Sequence, residues 1–187
     1  MAEEEEETTI QDEVGEPQDP KLKTQNLILS KLTAQFGEDL INAYESYGMT
    51  TVVVSKNRIF DIMKFLKEDP ELNFHFLTDE CGVHYPNNKD QEIGVVYHLH
   101  NFMTNNRLRV ETFFSIENPV IDSMTSLWSA ANWMERETYD FYGIIFEGHP
   151  DLKRILNVDD MDYFPMRKQY PLEDATREDK NDKMFGR

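Results

Sequence analysis

The alternation in residues 107–115 constrains the fold more than any other feature. Leu108, Val110, Thr112 and Phe114 fall on one side of an extended chain, and Arg107, Arg109 and Glu111 on the other. A sheet with one apolar and one charged face packs its helices on one side only. Residues 92–102 supply a partner strand. Met103-Thr104-Asn105-Asn106 between the two reads as a hairpin turn, because asparagine tolerates positive φ. The β-branched run from Thr50 predicts a third strand over residues 50–54, and weak alternation a fourth over 39–47. Residues 74–77 predict a short strand, followed by a polar segment through Asn88.

Two helices precede the hairpin. Residues 22–36 place Leu29, Leu32 and Phe36 on one face, with Gly37 as a stop. Ser55 is positioned to cap a helix running to Glu68, with Ile59, Ile62, Met63 and Leu66 inward and Pro70 beyond its end. A third helix opens residues 125–156. Thr125 or Ser126 is its expected cap and Gly143 its stop, and Leu127, Ala131, Met134, Thr138 and Phe141 draw a stripe at helical period. On that wheel Glu135 and Glu137 flank the stripe. Arg136 and Asp140 lie on the far face, an i,i+4 ion pair, with Trp133 beside them. A tryptophan on the far face predicts a second buried contact for this helix.

The expected architecture is therefore α/β of the α+β type: a small mixed or antiparallel sheet, helices mainly on one face, and an extended C-terminal tail. Residues 1–20 hold nine acids and no base, and read as an acidic disordered tail. Residues 21–156 form the core domain. Residues 157–187 are too polar to order alone, yet carry Tyr163, Phe164, Tyr170 and Leu172, large side chains suited to clamping along a partner.

Charge and composition exclude several functions. A net charge of −17 leaves no basic footprint for nucleic acid or anionic lipid. With one cysteine, Cys81, the chain forms no internal disulfide and lacks the thiolates of an iron–sulfur cluster. No apolar run reaches the roughly 20 residues of a membrane span, and the N-terminus has no signal or transit pattern, so the chain is expected to stay where it is made. Neither a dinucleotide fingerprint nor a phosphate loop occurs. His98 and His100 share a strand face, but no third ligand has suitable spacing, so they read as ordinary histidines rather than a zinc site. Glu135, Glu137 and Asp140 spread around their helix rather than converging for acid–base work. No catalytic, cofactor-binding or metal-binding residue is assigned.

One block is highly specific. It runs Glu135-Arg136-Glu137, Asp140-Phe141-Tyr142, His149, Lys153 and Ile155-Leu156, ten positions fixed in identity or class across 22 residues. It resembles the C subunit, also called the 30-kDa subunit, of respiratory complex I, the proton-pumping NADH:quinone oxidoreductase. Asp69-Pro70-Glu71-Leu72-Asn73-Phe74, Val95-Val96-Tyr97-His98-Leu99 and Thr125-Ser126-Leu127-Trp128 are similar to further family passages, and the likeness extends over residues 27–172. The run from Phe164 through Arg167, Lys168, Tyr170 and Pro171 to Leu172 resembles the family tail, with Met166 and Gln169 as departures. His84 and Ser129 also depart from the common pattern.

The resemblance implies a non-catalytic structural subunit of the hydrophilic, peripheral arm, holding the quinone-site subunit in place. Partners would be the large quinone-site subunit (the D or 49-kDa type), the B subunit with the terminal iron–sulfur cluster, and other peripheral-arm subunits. FMN, iron–sulfur clusters and quinone would belong to those partners. Location would be the cytoplasmic face of the bacterial inner membrane, touched only through the complex. The expected interface residues are Trp133, Glu135, Arg136, Glu137, Asp140, His149, Arg154, Tyr163, Phe164, Arg167, Lys168, Tyr170 and Leu172. Alternatives are the same scaffold in a membrane-bound hydrogenase, an F420H2 dehydrogenase or a ferredoxin-linked photosynthetic complex, and, far behind, a soluble carboxylate-dependent hydrolase.

Overall fold

A computed structural model of the chain describes residues 20–170. The acidic head and Leu172 lie outside them. Along the chain run α1 (Pro20–Phe36), β1 (Leu40–Ser46), β2 (Met49–Val54), α2 (Ile59–Glu68), β3 (Phe76–His84), β4 (Ile93–Asn101), β5 (Asn106–Phe114), β6 (Val120–Asp122), α3 (Ala131–Tyr142) and β7 (Ile145–Glu147). Five strands form one mixed sheet in the order β1-β2-β5-β4-β3, in which only β2 and β5 run parallel. A short parallel pair, β6 and β7, stands apart.

The one-sided sheet is as the alternation requires. Val52, Val54, Ile93, Val95, Tyr97, Leu99, Leu108, Val110 and Phe114 face a single core. Helix α2 covers it with Ile59, Ile62, Met63 and Leu66, at most 1% exposed, and α1 with Ile28, Leu32 and Phe36. Each such side chain contributes about 1.5–3 kcal/mol by leaving water. In α1 the buried stripe is Ile28 and Leu32, with Leu29 only half-buried. Ser55 makes no side-chain cap bond; a tight turn over Lys56–Arg58 leads into α2 instead. The β4–β5 turn is stapled by Asn101 Oδ1, which accepts from the N–H groups of Met103 and Thr104, and Asn105 takes φ 54°.

β3 corrects the sequence reading. The expected short strand and polar segment are one nine-residue edge strand, paired with β4 from Phe76↔His100 to His84↔Ile93 around a bulge at Leu77/Asp79. Asp79, Glu80 and Gly82 disfavour a strand locally, and pairing along the whole of β4 overrides them. The strand turns Glu80, Gly82 and His84, all buried, toward α3. The Tyr142 ring lies over Gly82, where any Cβ would collide with it.

Candidate functional site

Helix α3 is covered on two sides, and that defines the site. It starts at Ala131, later than expected, with no side-chain cap. The preceding residues turn back instead. Glu135 accepts from Met124 N–H (2.5 Å) and from Ser123 Oγ (2.7 Å), and Ser123 Oγ also bonds Thr125 Oγ1 (2.7 Å). The buried positions are Ala131, Glu135, Thr138 and Asp140: Ala131 and Thr138 of the expected stripe are buried, Leu127 and Met134 pack half-buried against the core, and Glu135 and Asp140 are buried where the stripe did not place them. Ala131, Glu135 and Thr138 repeat at helical spacing, with the Tyr142 ring on Gly82 closing the series against β3.

Asp140 belongs to the other side, the far face expected of it, but the expected ion pair with Arg136 does not form. Asp140 is wholly buried, and its partner is not Arg136 but Arg154, whose Nη1 donates at 2.7 Å. Oδ2 accepts three consecutive backbone N–H groups, from Ile155 (3.1 Å), Leu156 (2.8 Å) and Asn157 (2.8 Å). Asn157 Nδ2 adds a bond to Oδ1 (3.0 Å). Burial alone would raise this carboxyl; donation from Asn157, Arg154 and Leu156 outweighs it and holds the group well below the usual carboxylate range. Arg136 instead donates to the carbonyls of Lys153 (3.2 Å) and Arg154 (3.1 Å).

The same segment closes the C-terminus of α3, where four carbonyls lack helical partners. Gly143, at φ 74°, donates to Tyr139 O (2.8 Å); Arg154 Nη1 to Asp140 O (3.0 Å); Met166 N–H to Phe141 O (3.2 Å); Arg167 Nε to Tyr142 O (2.7 Å). The Phe164 ring lies beneath Gly143 with the guanidinium groups of Arg154 (5.2 Å) and Arg167 (4.7 Å) over it. Arg154 Nη2 also reaches the carbonyls of Met161 (2.7 Å) and Tyr163 (3.1 Å). Lys168 N–H donates to His84 Nδ1 (2.9 Å), tying the segment to the end of β3. Burial first, then Arg167 and Lys168, lower the basicity of His84 and keep it an acceptor. Residues 157–170 of the expected tail are thus laid against the chain's own body.

The other expected interface residues divide clearly. Glu135, Asp140, Arg154, Phe164 and Arg167 spend their side chains on bonds or ring contacts within the chain. His149 is a turn staple: Nε2–H donates to Asn132 O (3.0 Å) and Nδ1 accepts from Asp151 N–H (3.0 Å). Tyr163 stacks on Tyr170 at 4.9 Å. Trp133 is 58% exposed, and Glu137 and Lys168 are exposed as well. The predicted second buried contact of α3 exists, but Asp140 makes it rather than Trp133. Around that contact Leu156 (63%), Val158 (61%) and Met166 stand exposed on the docked segment.

His98 and His100 occupy the helix-free face of the sheet. His98 Nε2 accepts from Arg109 Nε (3.0 Å), and His100 bonds Asn105 Oδ1 (3.1 Å). Among the described residues no cluster of three or more His, Cys, Asp or Glu is placed to hold a metal. Sequence reasoning missed Glu80 and Tyr97, buried under α3. The period-two spacing of Glu80, Gly82 and His84 was the available signal, lost because the segment was read as polar.

Comparison with known proteins converges on one family. The family model of the respiratory-chain NADH dehydrogenase 30 Kd subunit matches residues 52–176. The C subunit of the NADH-quinone oxidoreductase of Roseiflexus castenholzii is 42% identical over 145 residues, 78% of this chain and 83% of that protein. Its counterpart in Citrifermentans bemidjiense is 41% identical over 153 residues, covering 82% and 93%. Among solved structures, a trypsin-resistant fragment of Nqo5 superposes with TM-score 0.57 at 30% identity, covering 71% of this chain and 99% of the fragment. A chain of an archaeal membrane-bound sulfane sulfur reductase shares the fold, with TM-score 0.66 at 23% identity over 80% of this chain and 86% of its own. The block from Glu135 to Leu156 that builds both sides of α3 lies inside the matched region, and the chain belongs to the family of the 30 Kd subunit of respiratory-chain NADH dehydrogenase.

Proposed function

We propose that the chain is a non-catalytic structural subunit of the peripheral arm of a proton-translocating NADH:quinone oxidoreductase, where it holds the quinone-site subunit in register. Its relatives are named as the C subunit of NADH-quinone oxidoreductase. The observation that carries the reading is a rigid platform bearing exposed apolar side chains. Trp133 on α3, and Leu156, Val158, Tyr163 and Met166 on the docked segment, stand in solvent, while Asp140 holds the backbone of 155–157, Arg154 the carbonyls of Met161 and Tyr163, and Phe141 O the N–H of Met166. Large apolar side chains presented on fixed backbone are what a permanent partner buries, at small entropic cost.

In this reading flavin, iron–sulfur clusters and quinone are held by partner subunits, among them the large quinone-site subunit and the B subunit. The chain sits at the cytoplasmic face of the membrane through the complex; among the described residues no helix is long and apolar enough to cross a bilayer. The test is affinity capture of the tagged full-length chain from detergent-solubilised membranes of its own cell. Fixed-stoichiometry recovery with flavin and iron–sulfur subunits, and NADH–quinone activity in the eluate, is the expected result. Recovery of the chain alone, with no flavin or iron, overturns the reading.

A further inference from the structure

Beneath α3, β3 carries an acid where a core calls for an apolar side chain. Glu80 is 4% exposed, and both of its carboxyl oxygens are buried with no hydrogen-bond partner among the described residues. Across the strand pair stands Tyr97, wholly buried, its hydroxyl equally without a partner. Glu135 comes down from α3, also wholly buried, and takes its two donors from Ser123 and Met124.

Among the described residues no positive charge acts on this group. The charges that Glu80 feels are those of Glu135 and Asp79, and Tyr97 feels Glu80, Glu135 and Asp122; all are acidic. A buried carboxylate persists as an ion only when a cation or several donors hold it. Glu80 has neither, and its nearest acid competes with it.

We propose that Glu80, Glu135 and Tyr97 form a buried proton-binding site whose occupancy fastens α3 to β3. The ligand is a proton from solvent, bound when the pair carries at most one negative charge. When it leaves, a second negative charge is stranded between strand and helix. The helix is pushed from the sheet, and the segment pinned to its other side by Asp140 moves with it. The environment agrees. Burial, then the charges of Glu135 and Asp79, push the Glu80 carboxyl well above its ordinary range. Burial raises Glu135 to about 7 against the pull of Ser123 and Met124. The site is a property of this chain whatever complex it serves.

The experiment uses the full-length chain. Thermal melting is followed from about pH 6 to about pH 9 for the wild type, Glu80→Gln and Glu80→Leu. The folded pair holds more protons than the unfolded chain, so wild-type stability falls as pH rises through this range. The variants lose most of that slope, and by about pH 8.5 they melt about 5 °C or more above the wild type, while near pH 6 the gap narrows. Infrared spectroscopy supplies a measurement that needs no variant: the folded wild type at neutral pH shows the carbonyl stretch of a protonated carboxylic acid shielded from solvent exchange. Parallel melting profiles in wild type and variants overturn the proposal. So does a neutral-pH spectrum without the protonated band, which decides the matter if neither variant folds. A melting temperature that rises with added sodium, potassium or magnesium at alkaline pH makes the ligand a metal cation and overturns it equally.

Discussion

Glu135 and Asp140 lie on the same helix, five positions apart, and each is fully removed from solvent. Their titrations nevertheless move in opposite directions. Burial raises Glu135 to about 7, and its two neutral donors, Ser123 and Met124, offset that only in part. Asp140 has three backbone N–H groups, an amide and a guanidinium, and it stays ionised well below the usual range. Burial opposes the charge at both, so the difference between them lies elsewhere. What decides is whether the opposing element supplies donors. The N–H groups of a strand lie in the plane of its sheet, so it offers an overlying helix side chains alone, whereas an irregular segment such as 154–157 has free N–H groups to aim.

Removing the charge at each position breaks the comparison most directly. Asp140→Asn puts an amide donor among donors and leaves Arg154, 9% exposed at its side chain, without its counter-ion. Loss of one partner from a buried pair costs about 3–5 kcal/mol. We expect a loss of that order in urea unfolding of the full-length chain, and faster proteolysis within residues 150–170 as the segment lifts. Glu135→Gln keeps one acceptor oxygen and sheds the charge that the site already resists. It is expected to stay within about 1 kcal/mol of the wild type near pH 5, where the carboxyl holds its proton, and to be the more stable of the two at neutral pH. Equal losses in the two variants would remove the distinction.

The pH dependence sharpens the same contrast, with opposite signs. Asp140 has a depressed folded value, so its contribution is present above its ordinary value of 3.8 and is lost as pH falls below it. Glu135 has a raised folded value. The folded chain binds the extra proton, and stability falls as pH climbs from the ordinary 4.5 through about 7, by about 2–3 kcal/mol for a shift of that size. Unfolding free energies measured from about pH 3 to pH 8, wild type minus Asp140→Asn and wild type minus Glu135→Gln, isolate the two terms. The first difference should shrink only at the acid end, and the second should open only toward neutrality.

Much of the frame was legible because apolar periodicity reports it. The faces of β5 follow from Leu108, Val110, Thr112 and Phe114, and the inner face of α2 from Ile59, Ile62, Met63 and Leu66. Gly143 marked the end of α3, where the chain needs positive φ. The site was less legible for one physical reason. Two of the four buried residues of α3 are acids, and a pattern reading sends acids outward. The stripe was therefore drawn through Met134 and Phe141, which are only half-buried. The partners of Asp140 come from 14 to 17 residues downstream, in a segment with no period to read. β3 was missed over most of its length because its stability comes from β4, and nothing local to Asp79, Glu80 and Gly82 announces it.

Gly143→Ala tests whether the docked segment, rather than helix geometry, keeps Asp140 ionised. Its φ of 74° disfavours any side chain, and a Cβ there would stand 2.5 Å from the Phe164 ring. The conformational part costs about 1–2 kcal/mol. Displacing Phe164 adds to it by loosening Arg154 and Arg167, which lie over that ring. We expect a smaller loss in urea unfolding than for Asp140→Asn, and an acid-end transition shifted to higher pH as the donors around Asp140 slacken. An unchanged acid limb would mean that Asp140 keeps its donors without Phe164.

The smallest effect on stability is expected at Trp133, and that is its use. It shares the helix with Glu135 and Asp140 but makes neither of their contacts, and at 58% exposure it gives little to the fold. Trp133→Ala should change the unfolding free energy of the full-length chain by no more than about 0.5 kcal/mol. If its indole is instead buried by a partner, truncation removes an anchor of the kind that costs about 2 kcal/mol or more at an interface. Capture of the intact complex from membranes should then fall while the chain itself melts as before. A melting temperature lowered as far as that of Gly143→Ala would make Trp133 part of the chain's own packing. Unchanged melting with unchanged recovery of partners would remove it from the contact surface and leave Leu156, Val158 and Met166 to carry it.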